Sequence, residues 1–340
     1  MSTTTTEQGP VATTVAAPAV GFKSYKTMPF AECFNKLQIP ATAFTVRTHP
    51  LTDKVSDAVN QFFLDVWPFS SEKGRKKFLG ADFPRFVCYY FPNALEDRLK
   101  LVCEVITHLF IIDDVLETMS LKDGQAFNNK LIALARGEVQ PDRSSPPEWI
   151  MYDVWEGMRK CDKDLADAML QPCFDFMKAQ TDPRRLTKMN LEQYLEYRLE
   201  DVGKQFLSAL ICFTQRLCLT KEEWALVDPV DKNSARHISV INDIWSYDKE
   251  LKAVALNQEG STMLNAVDIL ADEASMPIES AKRVLYRLCR EWEIVHETLV
   301  ADVLAQHDSP KLRAYFKETE YQMSGNEIWS RLTLRYPQTH

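Results

Sequence analysis

Glycine is scarce in this sequence, with 10 among 340 residues, which disfavours a sheet-rich fold with many tight turns. The sequence also lacks a run of about 18 uncharged apolar residues, the length that a membrane-spanning helix requires. Residues 1–20 carry neither a basic start nor a compact apolar block, so no secretory leader is expected. These absences predict a soluble, cytoplasmic protein without membrane insertion.

Positive charge is not in excess either, because 40 Lys and Arg stand against 48 Asp and Glu, for a net charge of −8. No overall attraction to nucleic acid is therefore expected, and an anionic substrate would need locally organised cations. The eight cysteines form no C-x-x-C pair and no zinc-ligand spacing with histidine. We interpret them as reduced core residues.

Apolar residues at three- and four-residue spacing dominate the chain from Thr52 onward, and no strand-turn-strand pattern competes with them. The Thr-, Ala- and Pro-rich start predicts a disordered segment over residues 1–44, followed by one all-α domain over residues 45–340. The clearest predicted helices are Leu95–Met119, Asp162–Gln180, Leu191–Leu217, Ser234–Leu251, Glu279–Ala305 and Gly325–Tyr336. Ser324 and Glu327 resemble a capping box at the start of the last one.

A first acidic motif, DDVLE, directly follows the apolar run LFII. Asp113 and Glu117 are four residues apart and share a helix face, where like charges repel unless a cation lies between them. With Asp114 they form a set of hard oxygen ligands that suits Mg²⁺ or Mn²⁺. An acidic helix end exposed to solvent is the alternative for this segment alone.

A second polar series lies in SVINDIWSYDKE, where Asn242, Ser246 and Glu250 are spaced by four residues. At about 100° per residue each step drifts by only about 40°, so the three side chains project from one side of a helix. A carbonyl, a hydroxyl and a carboxylate on one stripe form a plausible cation site, and magnesium there would take phosphate oxygens in its remaining positions. An ordinary polar helix face is the alternative.

Taken together, DDVLE and NDIWSYDKE resemble the two metal-binding motifs of class I terpene synthases. The segments YYFPNALEDR, GEVQPDR, YDVWEGMR, FMKAQTD, YLEYRLEDVGK, REWEIVH and EYQMSGNEIWS extend the resemblance to the fungal aristolochene synthases. It covers nearly everything after about residue 48. It implies a helical bundle around a central cavity, a lyase that ionises farnesyl diphosphate, and a bicyclic, aristolochene-type hydrocarbon with diphosphate as products.

The resemblance also implies roles for individual residues. It makes Asp113, Asn242, Ser246 and Glu250 ligands of Mg²⁺, with three ions as the usual complement, and Asp114 and Glu117 supporting residues. It makes Arg198, Lys249, Arg335 and Tyr336 the groups that bind the diphosphate, with Arg198 as its sensor. Developing negative charge on a leaving diphosphate requires such cations.

Aromatic residues are expected in the lining of the cavity, because a carbocation needs dry walls of π faces that do not attack it. The candidates by position are Tyr90, Phe110, Phe176 and Trp329. Phe110 has independent support, since it lies three residues before Asp113 and about one turn deeper on nearly the same face.

Three positions depart from the family pattern: Val87, His108 and Trp245 stand where Thr, an aliphatic residue and Tyr are expected. Such changes bear on the product, so a cyclase that makes another sesquiterpene skeleton is an alternative. His108 is interpreted as a satisfied core histidine rather than a base.

A chain-elongating prenyltransferase is disfavoured because the second motif is Asn-Ser-Glu rather than aspartate-rich. A catalytically silent helical binding protein is disfavoured because the full set of metal- and diphosphate-binding residues is present. A homo-oligomer is compatible with the sequence, which leaves the oligomeric state open.

Overall fold

The computed structural model of the protein describes residues 42–256 and 262–336, and within them helices alone form the regular structure, which confirms the all-α prediction. The helices are α1 (Thr52–Val66), α2 (Glu72–Ala81), α3 (Phe83–Tyr90), α4 (Glu96–Leu116), α5 (Leu121–Ala135), α6 (Pro146–Cys161), α7 (Lys163–Ala179), α8 (Leu191–Asp201), α9 (Lys204–Gln215), α10 (Lys221–Ala255), α11 (Ala266–Glu273), α12 (Ile278–His307) and α13 (Pro310–Leu332). A 3₁₀ turn, Pro183–Leu186, lies between α7 and α8.

Local capping explains where several helices begin. Thr220 and Glu223 form a capping box at the start of α10, and Asn190 and Gln193 form another at the start of α8. The predicted helix Ser234–Leu251 is only the middle of α10, which runs through Pro229 and carries the second polar series. Proline inside a helix removes a backbone donor, so sequence patterns tend to end a predicted helix there.

The predicted helix Leu191–Leu217 is wrong as a single element, because it divides into α8 and α9 around Gly203. Gly203 has φ +70°, in the left-handed region that residues with a side chain rarely occupy. The break leaves Arg198 and Asp201 at the end of α8.

The last helix was also placed wrongly, since α13 begins at Pro310 with Ser309 as its cap. Ser324 is therefore no cap: it lies inside α13, and its hydroxyl donates to the carbonyls of Thr45 and Glu320. The helix ends at Leu332, after which the Leu334 amide donates to the Gly80 carbonyl at 2.9 Å. This contact ties the end of the described chain to α2, next to Arg335.

The long helix α10 packs against α12 and α13, while α3 packs against both α13 and α4. These pairings bring the acidic motif of α4 and the polar series of α10 to the same part of the bundle. Among the described residues no helix is both long and apolar enough to span a bilayer.

The predicted segment 1–44 lies outside the described residues except for its last three. Of these, Ala43 donates its amide to Glu293 of α12 at 3.0 Å, and the buried Phe44 packs on His296 with ring centroids 5.4 Å apart. The domain boundaries remain a prediction.

Candidate active site

A cavity of about 250 Å³ lies between α3, α4 and α7 to α10, and α13 and the residues after it close one side. Its wall contains every site residue singled out from the sequence except Asp114, which contacts two of the residues in that wall. The residues that the structure brings together here are Tyr90, Phe110, Asp113, Glu117, Phe176, Arg198, Asn242, Ser246, Lys249, Glu250, Trp329, Arg335 and Tyr336.

The carboxylates of the first motif cluster at the last turn of α4. Oxygens of Asp113, Asp114 and Glu117 lie within 4.8 Å of one another. Burial, together with the negative charge of Glu117, raises the pKa of Asp113. A carboxylate in that position is stabilised by a nearby cation, so the donor set fits a hard divalent ion.

Two cations already face this cluster. The guanidinium of Arg335 binds Asp114 through two N–O contacts of 2.9 Å each, and the Lys249 ammonium lies 2.6 Å from Glu117. Although burial opposes it, these two cations hold the pKa of Asp114 well below its ordinary value. The bidentate geometry orients Arg335 as well as neutralising its partner.

The polar series of α10 lines the same cavity, and its three side chains share one face of the helix as their spacing predicts. The Ser246 hydroxyl donates to a Glu250 carboxylate oxygen at 2.5 Å, and the Asn242 amide donates to the Tyr336 hydroxyl oxygen at 2.8 Å. Burial, with a contribution from the charge of Asp243, raises the pKa of Glu250. The side chains thus supply a carboxylate, a hydroxyl and an amide oxygen, which fits the ligand preference of Mg²⁺.

Arg198 reaches into the same wall from α8. It forms ion pairs with Asp201 and, at 3.0 Å, with Asp243, and its guanidinium also lies 3.4 Å from the Asn242 amide oxygen. Asp243 accepts a further hydrogen bond from the Tyr194 hydroxyl at 2.6 Å. A guanidinium fixed in this way places positive charge next to the α10 series.

Aromatic rings form another part of the cavity wall. The rings of Phe110 and Trp329 lie 5.8 Å apart, and Phe86 contacts Trp329 edge-on with centroids 5.1 Å apart. The Trp329 ring nitrogen donates to the Ala81 carbonyl at 3.1 Å, so its polar edge is satisfied and its ring position is fixed. Such a wall offers π faces, and the N–H group of Trp329 is already hydrogen-bonded.

Sequence reasoning missed several cavity residues, among them Phe86, Gln180, Arg185 and Asn326. The Gln180 amide donates to the Asp113 carboxylate at 3.1 Å, and Arg185 donates to the Gln180 carbonyl at 2.6 Å. Gln180 lies inside the segment FMKAQTD that carried part of the resemblance, which was the signal available for it.

All three departures from the family pattern, Val87, His108 and Trp245, are absent from the cavity wall. His108 is buried beside Trp67, with ring centroids 5.9 Å apart, and burial lowers its pKa to about 3. It is a core histidine as expected, and its ring lies near the Pro147 backbone without a hydrogen bond of ordinary geometry. Val87 is likewise fully buried and absent from the cavity wall.

Comparison with known proteins agrees with this geometry. The model of terpene synthase family 2, C-terminal metal binding, matches residues 104–293, a range that contains both the α4 cluster and the α10 series. The chain is 49% identical to aristolochene synthase from Aspergillus terreus, over 89% of this chain and 95% of that protein. It is 50% identical to (+)-aristolochene synthase from Penicillium expansum, over 88% and 91% of the two chains.

A solved structure gives the same result at the level of the fold. The crystal structure of aristolochene synthase from Penicillium roqueforti aligns with a TM-score of 0.78 and 46% identity, over 87% of this chain and all of that one. Identity at this level, over nearly the full length of the relatives, shows that this chain and those proteins share one family. The chain therefore belongs to terpene synthase family 2.

Proposed function

We propose that the protein is a sesquiterpene cyclase that ionises farnesyl diphosphate and releases diphosphate and an aristolochene-type bicyclic hydrocarbon. The observation that carries this proposal is the lining of one cavity, which combines acidic, amide and basic groups with aromatic rings. Such a lining offers partners for both the charged head and the C15 hydrocarbon tail of the substrate. Three aristolochene synthases among the relatives support the choice of product.

The head group would be bound by Mg²⁺ together with side chains of this cavity. Asp113 from α4, and Asn242, Ser246 and Glu250 from α10, are the residues we propose as ligands, with Asp114 and Glu117 in support. Bound magnesium supplies Lewis-acid polarisation of the diphosphate oxygens, and we propose three ions as in the family pattern. The carboxyl and amide oxygens present are those that Mn²⁺ would accept as well.

Departure of the diphosphate places negative charge on its oxygens, and four side chains are positioned to stabilise that charge. Arg198, Lys249 and Arg335 carry positive charge in this cavity, and Tyr336, whose hydroxyl oxygen accepts from Asn242, would donate its hydroxyl proton to a phosphate oxygen. Three of them are cations already paired with acidic residues, so they are held in place before the substrate arrives. Binding would then exchange a carboxylate partner for a phosphate oxygen.

The hydrocarbon end must fold the substrate and exclude water. Tyr90 and Trp329 are almost fully buried, and with Phe110 and Phe176 they would present π faces to the cationic intermediates. Interactions with these faces stabilise positive charge, while the absence of water from an apolar wall protects it from capture. The contour of this wall would select the ring system.

The test is gas chromatography with mass spectrometry of volatiles from the purified protein and farnesyl diphosphate, with and without Mg²⁺. We expect one dominant magnesium-dependent C15 hydrocarbon with the spectrum of aristolochene. Another C15 spectrum would retain the cyclase and reject the product. A longer prenyl diphosphate formed with isopentenyl diphosphate, or no product at all, would reject the cyclase proposal.

The ligand assignments have their own test. Asn242→Ala and Glu250→Ala should each abolish turnover and leave the helical circular dichroism spectrum unchanged. Glu297→Ala is the matched control, because this glutamate is exposed on α12, away from the cavity wall. Turnover of either cavity variant at the rate of the control would remove the proposed metal site.

A further inference from the structure

Asn265 is a fully buried polar residue that the site residues taken from the sequence did not include. It lies at the N-terminus of α11, where its side-chain oxygen accepts a hydrogen bond from the Val267 amide at 2.9 Å. This contact is an ordinary helix cap. A cap uses only the oxygen, which leaves the two N–H groups of the amide to be accounted for.

The amide nitrogen of Asn265 points at the α10 wall. It donates to a Glu250 carboxylate oxygen at 3.0 Å and to the Asp243 carbonyl, also at 3.0 Å. The other Glu250 oxygen accepts from Ser246. The Glu250 carboxylate is therefore fixed at both oxygens, from its own helix and from α11.

The neighbouring residue ties the same two helices together. The Ala266 amide donates to a carboxylate oxygen of Asp243 at 3.0 Å, and Asp243 also pairs with Arg198. The start of α11 is thus joined to α10 next to Glu250, the proposed metal ligand, and Arg198, the proposed diphosphate sensor. A fully buried amide in this position has no water to replace a lost partner.

We propose that Asn265 is a positioning residue that orients the Glu250 carboxylate for the metal ion. This inference rests on the proposed role of Glu250 as a ligand. A residue whose only task is to cap α11 could equally be Ser, Thr or Asp, since all of these cap helices. An amide is required only if its donation to Glu250 or to the Asp243 carbonyl matters, because none of the three offers an N–H at that place.

Asn265→Ser separates the two roles, because it retains a capping oxygen and removes the amide donor. The matched control is Asn190→Ser, which changes the same residue at the exposed cap of α8. The measurement is the affinity for Mn²⁺ in the presence of inorganic diphosphate, followed by electron paramagnetic resonance without turnover. Loss of an outer hydrogen bond to a ligand typically weakens metal binding about 10- to 100-fold, and we expect that loss for Asn265→Ser and wild-type affinity for Asn190→Ser.

Thermal unfolding of each variant shows whether it is stable enough to measure, and a double-mutant cycle shows whether Asn265 acts through Glu250. If Asn265→Ser is too unstable to measure, Asn265→Asp retains both cap and size, and it should also bind Mn²⁺ more weakly. In a Glu250→Ala background, Asn265→Ser should cause no further loss of affinity, because the group it orients is gone.

The outcomes distinguish this inference from the proposal beneath it. Wild-type affinity in Asn265→Ser, or in Asn265→Asp where that variant has to replace it, would overturn the positioning role, provided that Glu250→Ala weakens binding. Unchanged binding in Glu250→Ala would instead overturn the ligand role itself. An additive loss in the double variant would show that Asn265 acts through another group, which also overturns the inference.

Discussion

Substitution of Gly203 by alanine is the sharpest test of how the backbone shapes the cavity. A methyl group at this position would lie 2.8 Å from a ring carbon of Phe176, which lines the cavity. The residue also has φ +70° at the break between α8 and α9. Gly203→Ala should therefore strain the backbone and also bring the new methyl group into steric conflict with the Phe176 ring.

The magnitude follows from these two effects. A non-glycine residue in the left-handed region costs roughly 1–2 kcal/mol, and overpacking of a filled interior costs about 1–3 kcal/mol more. We therefore expect the free energy of unfolding to fall by about 2–5 kcal/mol if the structure does not relax. Movement of the Phe176 ring would relieve part of the overpacking and change the cavity contour instead.

Two assays on the same preparation distinguish these responses. Thermal unfolding reports the lost stability, and mass spectrometry of the volatiles reports the altered contour as a larger share of minor products. Gly74→Ala is the control, because its methyl group would lie 3.5 Å from the Ser71 hydroxyl, in ordinary contact, within the helix α2. A Gly203→Ala protein with the stability and product of wild type would refute the reasoning.

Three further predictions concern stability, pH and substrate capture. Gly325→Ala would place a methyl group 2.7 Å from the Tyr89 carbonyl oxygen, so thermal unfolding should show a loss of about 1–3 kcal/mol, and unchanged stability would contradict it. Because the pKa of His108 is about 3 when folded and near 6.5 when unfolded, the unfolded chain binds more protons between these values. Stability should then fall from pH 6.5 towards pH 3, and less steeply in His108→Leu when unfolding is measured across that range. Arg335→Lys removes the bidentate contact with Asp114 and should lower kcat/KM about tenfold in steady-state assays. An unchanged kcat/KM would show that the bidentate guanidinium is not required.

The presence of helices was predictable from the spacing of apolar residues. The helix boundaries were not, because they depend on tertiary packing around prolines and possible capping residues. The middle of α10 showed the expected period, but its first turns lie before Pro229, which a sequence pattern treats as a stop. Ser324 and Glu327 have capping-box spacing, yet tertiary packing places both inside α13. Short motifs of this kind predict a helix start only when the residues before them leave the helix.

The site was predictable where its residues share one helix and not where it is assembled from several. Asn242, Ser246 and Glu250 project together because α10 is regular, so their spacing was sufficient. Gln180 donates to Asp113, and Asn265 donates to Glu250, each from the end of another helix. No local pattern joins residues so far apart in the chain, and only tertiary packing brings them into contact.

The paired charges of the cavity would explain how an acidic protein binds an anionic substrate, as proposed for this chain. With a net charge of −8 the chain offers no general attraction to diphosphate, so affinity must arise locally. Arg335 and Lys249 supply that positive charge, while Asp114 and Glu117 hold it in position until substrate arrives. On the proposed function, a phosphate oxygen would take over these cations, and a divalent ion entering with the substrate would offer the released carboxylates another partner. Binding of metal and of diphosphate would then be coupled through the same carboxylates.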